Sequence, residues 1–584
     1  MRDQNTHTSA WCTAAAWLPL LLLVALWLPS MFATYTADEV GRLRFFEAAA
    51  LGFFFWLLFF ALLGRLWLTL VFALPMALLW PLEVWARMNN GTPISAHLVA
   101  LALESNWAEG ANFFSAYGIG LAVLALCWLV LYATGLWWAW RVNLRWRHRS
   151  RKWCVAIFLP LLVVLYHSAG AHDALATEAK LNVMDDSGVS GWGSQWEDVF
   201  PVNLAVSVKH FREQQSKLQT VQAALASRTL QAQQQRLPQT PEVVVLVIGE
   251  SASATRWKML GYGRDTNPRL AKIPGLVAFS DVVALSTATR TAVPGVLSRR
   301  PVLWPDGHVD LKAEPSLIKA FAEVGYQTHW LSNQSPLGQH DTSISVYARD
   351  ATDVRFLNPA TYANRASHDE ILLAPLRAIL LQPGRHLVVL HLLGSHFDYA
   401  LRYPASFDHF TPSLQSVKPA LAGSPNYAEQ VDNSYDNSLR YTDHVLAEVV
   451  DVVQQRNGNS VVAYFSDHGV DLTQGPCASQ SASRRSESAY RVPAFFWLSE
   501  RMRSQNGAQW QHLQENVHMP HTTRAVFSTL LGLAGIDIVN GLPEESFLRH
   551  PDSKATPRIV ASNGGRLVDF DAARKKNACF IAAD

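Results

Sequence analysis

Apolar positions along this chain fall into two regimes. Before residue 171 they run in long uninterrupted blocks; after residue 240 they come as short β-branched runs between helical segments. Five early blocks reach the roughly 17–25 residues that a membrane-spanning helix requires. They cover about 13–33, 46–64, 66–86, 117–140 and 153–170, and predict a five-helix membrane domain over residues 1–170. The first block has too long an apolar run, and no small-residue cleavage site, for a removable leader, so it reads as an anchor. Arg141, Arg145, Arg147, Arg149, Arg151 and Lys152 cluster between the fourth and fifth blocks. Basic residues in short loops stay in the cytoplasm, which places everything after about residue 170 on the outer side. The segment 87–116 then lies on the outer face. There Glu104, Asn106 and Glu109, beside Trp107, either meet a lipid headgroup or belong to a solvated interfacial helix.

Residues 171–240 read as a polar connector followed, from 203 to 236, by a bridging helix of mixed charge. From Pro241 the pattern becomes that of an α/β domain over 241–584. PEVVVLVIGES, HLVVLHLLGSH (386–396) and NSVVAYFSDHG (459–469) are apolar runs ending in polar residues, as buried parallel strands would be. PSLIKAFAEVG (315–325) and NSLRYTDHVLAEVVDVVQQ (437–455) read as helices between them. The expected architecture is a mostly parallel sheet between helices.

Composition agrees with a membrane protein. Only 16% of residues are charged, against about 25% in soluble proteins. The 21 Trp and 27 Phe exclude disorder, and 49 basic against 47 acidic residues give no reason to expect a nucleic-acid partner. Five cysteines are too few and scattered for a disulfide framework, and a pairing of Cys477 with Cys579 is not expected.

The candidate chemistry sits at strand ends. Glu250 follows VVVLVIG, Asp467-His468 follow VVAYFS, and His391 and His396 flank LLGS. Carboxylate oxygen and imidazole nitrogen are ligands for zinc. Ser286-Thr287-Ala288-Thr289-Arg290-Thr291 adds a hydroxyl-rich turn. Metal coordination is one way to turn a threonine hydroxyl into a nucleophile. Taken singly, each feature has a plain structural reading.

Together they resemble a family. GESASATRWKMLGYGRDTNPRL (249–270), STATRTAVPGVLSRRP (286–301), WLSNQSPLGQHDT (330–342), HLLGSHFDYALRYP (391–404), YDNSLRYTDHVL (435–446) and YFSDHG (464–469) are similar, in the same order, to bacterial phosphoethanolamine transferases. The WLSNQ and HLLGSH…RYP forms resemble the branch acting on lipopolysaccharide core sugars. The resemblance implies a multi-pass inner-membrane protein with a periplasmic domain of the alkaline phosphatase/sulfatase fold. It implies a zinc held by Glu250, Thr289, Asp467 and His468, with Thr289 as the nucleophile. His396 and His391 would serve the phosphate, leaving group or a second zinc, and Asn333 would line the same cleft; outside the resemblance, Arg290, unusual for the family directly after the nucleophile, and Glu109 of the outer loop are read as substrate contacts. Tyr435-Asp436-Asn437 would cap and orient a helix beside the site, and His521 would be structural. Phosphatidylethanolamine is the implied donor, lipopolysaccharide (lipid A or core) the acceptor, and a monomer working among membrane lipids the implied state.

One departure stands out. Gly469 to Val492 contains no histidine, where many members have one, so a second zinc is in doubt. Arg484 and Arg485 stand there instead, either on phosphate or in solvent. Rival readings are a phosphoglycerol transferase or a phosphatase/sulfatase-type hydrolase of the same fold, and, from another class, a catalytically dead membrane-anchored binding protein.

Overall fold

The computed structural model describes residues 17–32, 39–90, 93–94, 99, 107–161, 196, 198–235, 240–334, 343–358, 368–397, 399–416, 427–472, 477, 485–550, 556–562 and 565–581. By internal contacts the chain forms two units. One comprises residues 1–101 and 117–212 with residue 584; the other comprises 102–116 and 213–583.

The first unit is helical. Helix α1 (Leu20–Trp27), α2 (Glu39–Leu63), α3 (Leu66–Phe72), α4 (Leu74–Asn90) and α5 (Trp107–Val142) follow the apolar blocks. Phe46–Leu63 and Gly120–Val142 are long and apolar enough to cross a membrane. The third expected span is bent by 64° between α3 and α4. Pro75, the second residue of α4, explains the break: it has no N–H to give the preceding turn, and its ring crowds the carbonyl four residues back. The described part of the first block forms only short helix, and residues 162–170 lie outside the described residues. The apolar pattern did not predict the ion pair inside this unit. Glu83 is fully buried, and accepts from Arg87 Nε (2.6 Å), Asn203 Nδ2 (3.0 Å) and Ile94 N (3.1 Å). A carboxylate so surrounded is tolerable away from water because its lone pairs are used.

Helix α6 (Val202–Leu225) is shorter than the expected 203–236. Leu218, Val221 and Leu225, on one helical face, are buried in the core of the second unit. Gln233–Gln234 are extended and exposed, paired antiparallel with Ile536–Asp537, so the glutamine run is an edge strand and not helix.

The second unit is built on a seven-stranded mixed sheet. Its strands are β1 (Val243–Gly249), β2 (Leu276–Phe279), β3 (Gln327–Ser332), β4 (Asp353–Phe356), β5 (His386–His391), β6 (Ser460–Ser466) and β7 (Ala494–Leu498), in the order β2-β7-β6-β1-β5-β3-β4. The five from β6 to β4 are parallel; β7 is antiparallel to β6 and to β2. Both faces are covered, which is why the strands read as continuous apolar runs. Val244, Leu246 and Ile248 enter one core, with α7 (Thr289–Leu297), α8 (Leu317–Glu323) and α10 (Ala525–Ala534). Val243, Val245 and Val247 enter the other, with α9 (Ala428–Gln455).

Cys477 and Cys579 form a disulfide, contrary to expectation, with Cα atoms 5.2 Å apart. The two residues are 102 positions apart, and what joins them is backbone pairing that spacing does not reveal. Glu487 N donates to Ala578 O (2.7 Å) and Ile581 N to Arg485 O (2.8 Å), laying the C-terminal segment along residues 485–487. Arg485 is buried with its guanidinium 5.2 Å over the Phe580 ring, so it is not in solvent; Arg484 lies outside the described residues. Cys579→Ser is expected to cost about 2–4 kcal/mol, read as a lower denaturation midpoint that reductant no longer shifts.

Candidate active site

Strand register gathers the chemistry. Ile248 pairs with His391 and Gly249 with Ser466, so the residues that follow β1, β5 and β6 emerge side by side. Groups beyond the carboxyl ends of parallel strands are a sheet's natural site for function. Glu250, Asp467 and His468 are all buried there, with ligand atoms within 4.8 Å of one another.

Each candidate ligand is held by its neighbours. His468 Nδ1 donates to Gly469 O (2.8 Å), which leaves the Nε2 lone pair facing Glu250 Oε1 and Asp467 Oδ2, each 3.5 Å away. Asp467 Oδ1 accepts from Ser251 N (2.9 Å) and His468 N (2.7 Å), while its Oδ2 is buried with no hydrogen-bond partner. Ser251, at φ +58°, holds the turn that directs Glu250 inward, and its hydroxyl donates to Glu250 Oε1 (2.6 Å). Burial opposes a charged Glu250, but the His468 and His396 imidazoles, with hydrogen bonds from Ser251 and Asp467, outweigh it and hold its pKa below the usual carboxylate range. Burial and then the Glu250 charge push Asp467 well above the usual carboxylate range.

Thr289 opens α7 and donates its hydroxyl to Glu250 Oε2 at 3.1 Å. The neighbouring hydroxyls are engaged elsewhere. Thr291 Oγ1 lies 2.8 Å from Ser286 Oγ and 3.1 Å from Ala288 O, and buried Thr287 bonds the Tyr490 side chain.

The remaining expected residues are placed less uniformly. His396 is half-buried and donates from Nδ1 to Phe397 O (2.8 Å). His391 is buried, its Nδ1 3.4 Å from Ser332 Oγ, and burial lowers its pKa to about 4. Asn333 is buried and gives its amide to Asp369 Oδ1 (2.8 Å). Arg290 is buried on the first turn of α7. Glu109 falls within α5, and its side chain is outside the described residues. Tyr435, Asp436 and Asn437 lie mid-helix in α9 and cap nothing. They anchor loops: the Tyr435 hydroxyl donates to Ser251 O (2.8 Å) and accepts from Ser253 N (2.8 Å), directly behind Glu250. Sequence reasoning missed Gln334, whose Nε2 lies 3.2 Å from Glu250 Oε2 and 2.9 Å from Leu392 O. Its only signal was adjacency to Asn333 in WLSNQ.

A sulfatase-type domain is the class that this sheet and site define, and the sulfatase family model matches residues 242–536. The chain belongs to that family. Among its relatives is phosphoethanolamine transferase EptC of Escherichia coli K12, 24% identical over 538 residues, covering 87% of this chain and 89% of the relative. The zinc complex of the C-terminal periplasmic domain of Escherichia coli EptC is 25% identical with a TM-score of 0.52, over 60% of this chain and 98% of that one. The integral membrane lipooligosaccharide phosphoethanolamine transferase A of Neisseria meningitidis shares the fold at 19% identity and a TM-score of 0.60, over 92% of this chain and 96% of that one.

Proposed function

We propose that this protein transfers phosphoethanolamine from phosphatidylethanolamine to a lipopolysaccharide acceptor. The observation that carries the reading is Thr289, hydrogen-bonded to Glu250 within the Glu250–Asp467–His468 cluster, in a chain similar to phosphoethanolamine transferases over most of its length. The reading includes five membrane spans over 1–170, a connector over 171–240, a periplasmic catalytic domain over 241–584, and a monomer in the bacterial inner membrane.

The donor set fits zinc. Two buried carboxylates, one with an oxygen that has no partner, and an imidazole lone pair facing both form a group that needs a cation. Glu250, Asp467, His468 and Thr289 would hold it; bound there, zinc supplies a lowered hydroxyl pKa and charge compensation for the phosphoryl oxygens. A second zinc has no comparable donor set among the described residues. The chain's own groups then account for the transfer. Thr289 Oγ, passing its hydroxyl proton along its hydrogen bond to Glu250 Oε2, forms a bond to the donor's phosphorus as the bond to the diacylglycerol oxygen breaks. The departing oxygen takes a proton from His396, the half-buried histidine of the site. His391, with its pKa held near 4, is neutral at pH 7 and serves as a packed neighbour of the cluster. An acceptor oxygen next attacks the phosphorus, its proton passes to His396, and the Thr289 oxygen is released, taking its proton back from Glu250. The N-terminal amides of α7 favour the phosphate charge at Thr289.

Incubation with phosphatidylethanolamine and phosphatidylglycerol, each headgroup-labelled, is the direct test. Label should appear on Thr289 from the ethanolamine lipid. Label from the glycerol lipid alone would make the protein a phosphoglycerol transferase. Mass spectrometry of lipopolysaccharide from cells with and without the gene then identifies the acceptor. Gln334→Ala is expected to weaken zinc affinity about tenfold, because partners of ligating carboxylates tune the site; competition with a chelating dye reads it.

A further inference from the structure

The turn that delivers His396 is clamped by three groups, and one of them is a buried carboxylate with no part in the chemistry above. Asp369 is remote in sequence and only 5% exposed. Its Oδ1 accepts from Leu393 N (2.8 Å) and from Asn333 Nδ2 (2.8 Å), and its Oδ2 accepts from Gly394 N (2.9 Å). Ser395 N donates to Glu250 O (2.9 Å), and Arg402 Nε to His396 O (2.8 Å). Gly394 is at φ +52°, and a Cβ there would stand 2.6 Å from Glu250 O, so the turn lies directly on the backbone of a cluster residue. Two adjacent amides pointing into a dry region need acceptors, and a carboxylate presents two oxygens to them at once.

We infer that Asp369 is a positioning residue for the reaction: with Asn333 it fixes the Leu393–Ser395 turn and thereby the placement of His396 beside Glu250. The inference rests on the transfer reaction proposed above. It also gives Asn333 a role other than substrate contact, as the amide that holds one Asp369 oxygen in place.

Asp369→Asn tests this in the full-length protein. Asparagine offers one acceptor oxygen where two are needed and sets N–H against N–H. Amide exchange of the peptide spanning 391–397 should rise at least tenfold, while peptides from β1 and β6 keep wild-type protection. Turnover should fall at least tenfold, with zinc content and the KM for the donor lipid within twofold of wild type. The double variant Asp369→Asn with Asn333→Asp restores a carboxylate–amide pair and should recover part of both losses. Unchanged turnover would overturn the inference, and so would exchange that rises everywhere in proportion. Should the wild type transfer nothing from either labelled lipid, the proposed function fails on its own, and the exchange measurement alone decides the clamp: local deprotection supports it and wild-type protection overturns it.

Discussion

Thr289→Ala is expected to abolish transfer, with turnover falling by about 10³-fold or more, the scale on which enzymes lose rate with their nucleophile. Of the hydroxyls in Ser286–Thr291, Thr289 is the one on Glu250, while Thr291 faces Ser286 and Thr287 bonds Tyr490. Thr287→Ala and Thr291→Ala should therefore alter stability more than chemistry. Thr289 is half-buried at a helix start and its methyl and hydroxyl fill no core, so Thr289→Ala should keep the melting temperature of wild type. Labelling with ethanolamine lipid followed by tryptic mass spectrometry separates the cases. Covalent label surviving in Thr289→Ala, on another hydroxyl, would move the nucleophile. Turnover at the wild-type level would remove threonine catalysis altogether.

The strands carrying the site were legible for a simple reason: a strand covered on both faces shows as an apolar run that stops where the chain reaches the site. β1, β5 and β6 all have this form, and Glu250, His391 and Asp467 stand where the runs stop. What stayed hidden depends on partners remote in sequence. Asp369 acts on Leu393 and Gly394, Tyr435 on Ser251, and Cys477 on Cys579, and no local spacing connects these pairs. Gln334 was hidden differently: an amide beside a chosen Asn offers no pattern that says which of the two faces the cluster. In the membrane unit hydropathy located the apolar blocks and missed the bend at Pro75, because an average over a window does not register one lost amide. The Glu83–Arg87 pair escaped for a related reason, since Asn203 completes it from 120 residues away.

His521 provides the acid-labile step in the stability of the second unit. It pairs with Val282 at the start of a short strand, is 1% exposed, and packs 4.4 Å from the Phe547 ring centroid, with neither ring nitrogen hydrogen-bonded. Burial, followed by the charges of Arg549 and Arg558, lowers its pKa from 6.5 to about 3. The sign follows from proton counts. Below pH 6.5 the unfolded chain takes up a proton at this position and the folded chain does not, so stability present above pH 6.5 is lost as pH falls toward 3. The slope is about 1.4 kcal/mol per pH unit, and over that window it sums to about 5 kcal/mol. His521→Phe replaces the ring with one that suits the Phe279 and Phe547 contacts and cannot bind a proton. Its denaturation midpoint should match or exceed wild type at pH 7.5 and should fall much less between pH 6.5 and pH 4. Parallel curves for the two proteins over that range would mean that His521 is charged in the fold, against the burial seen here.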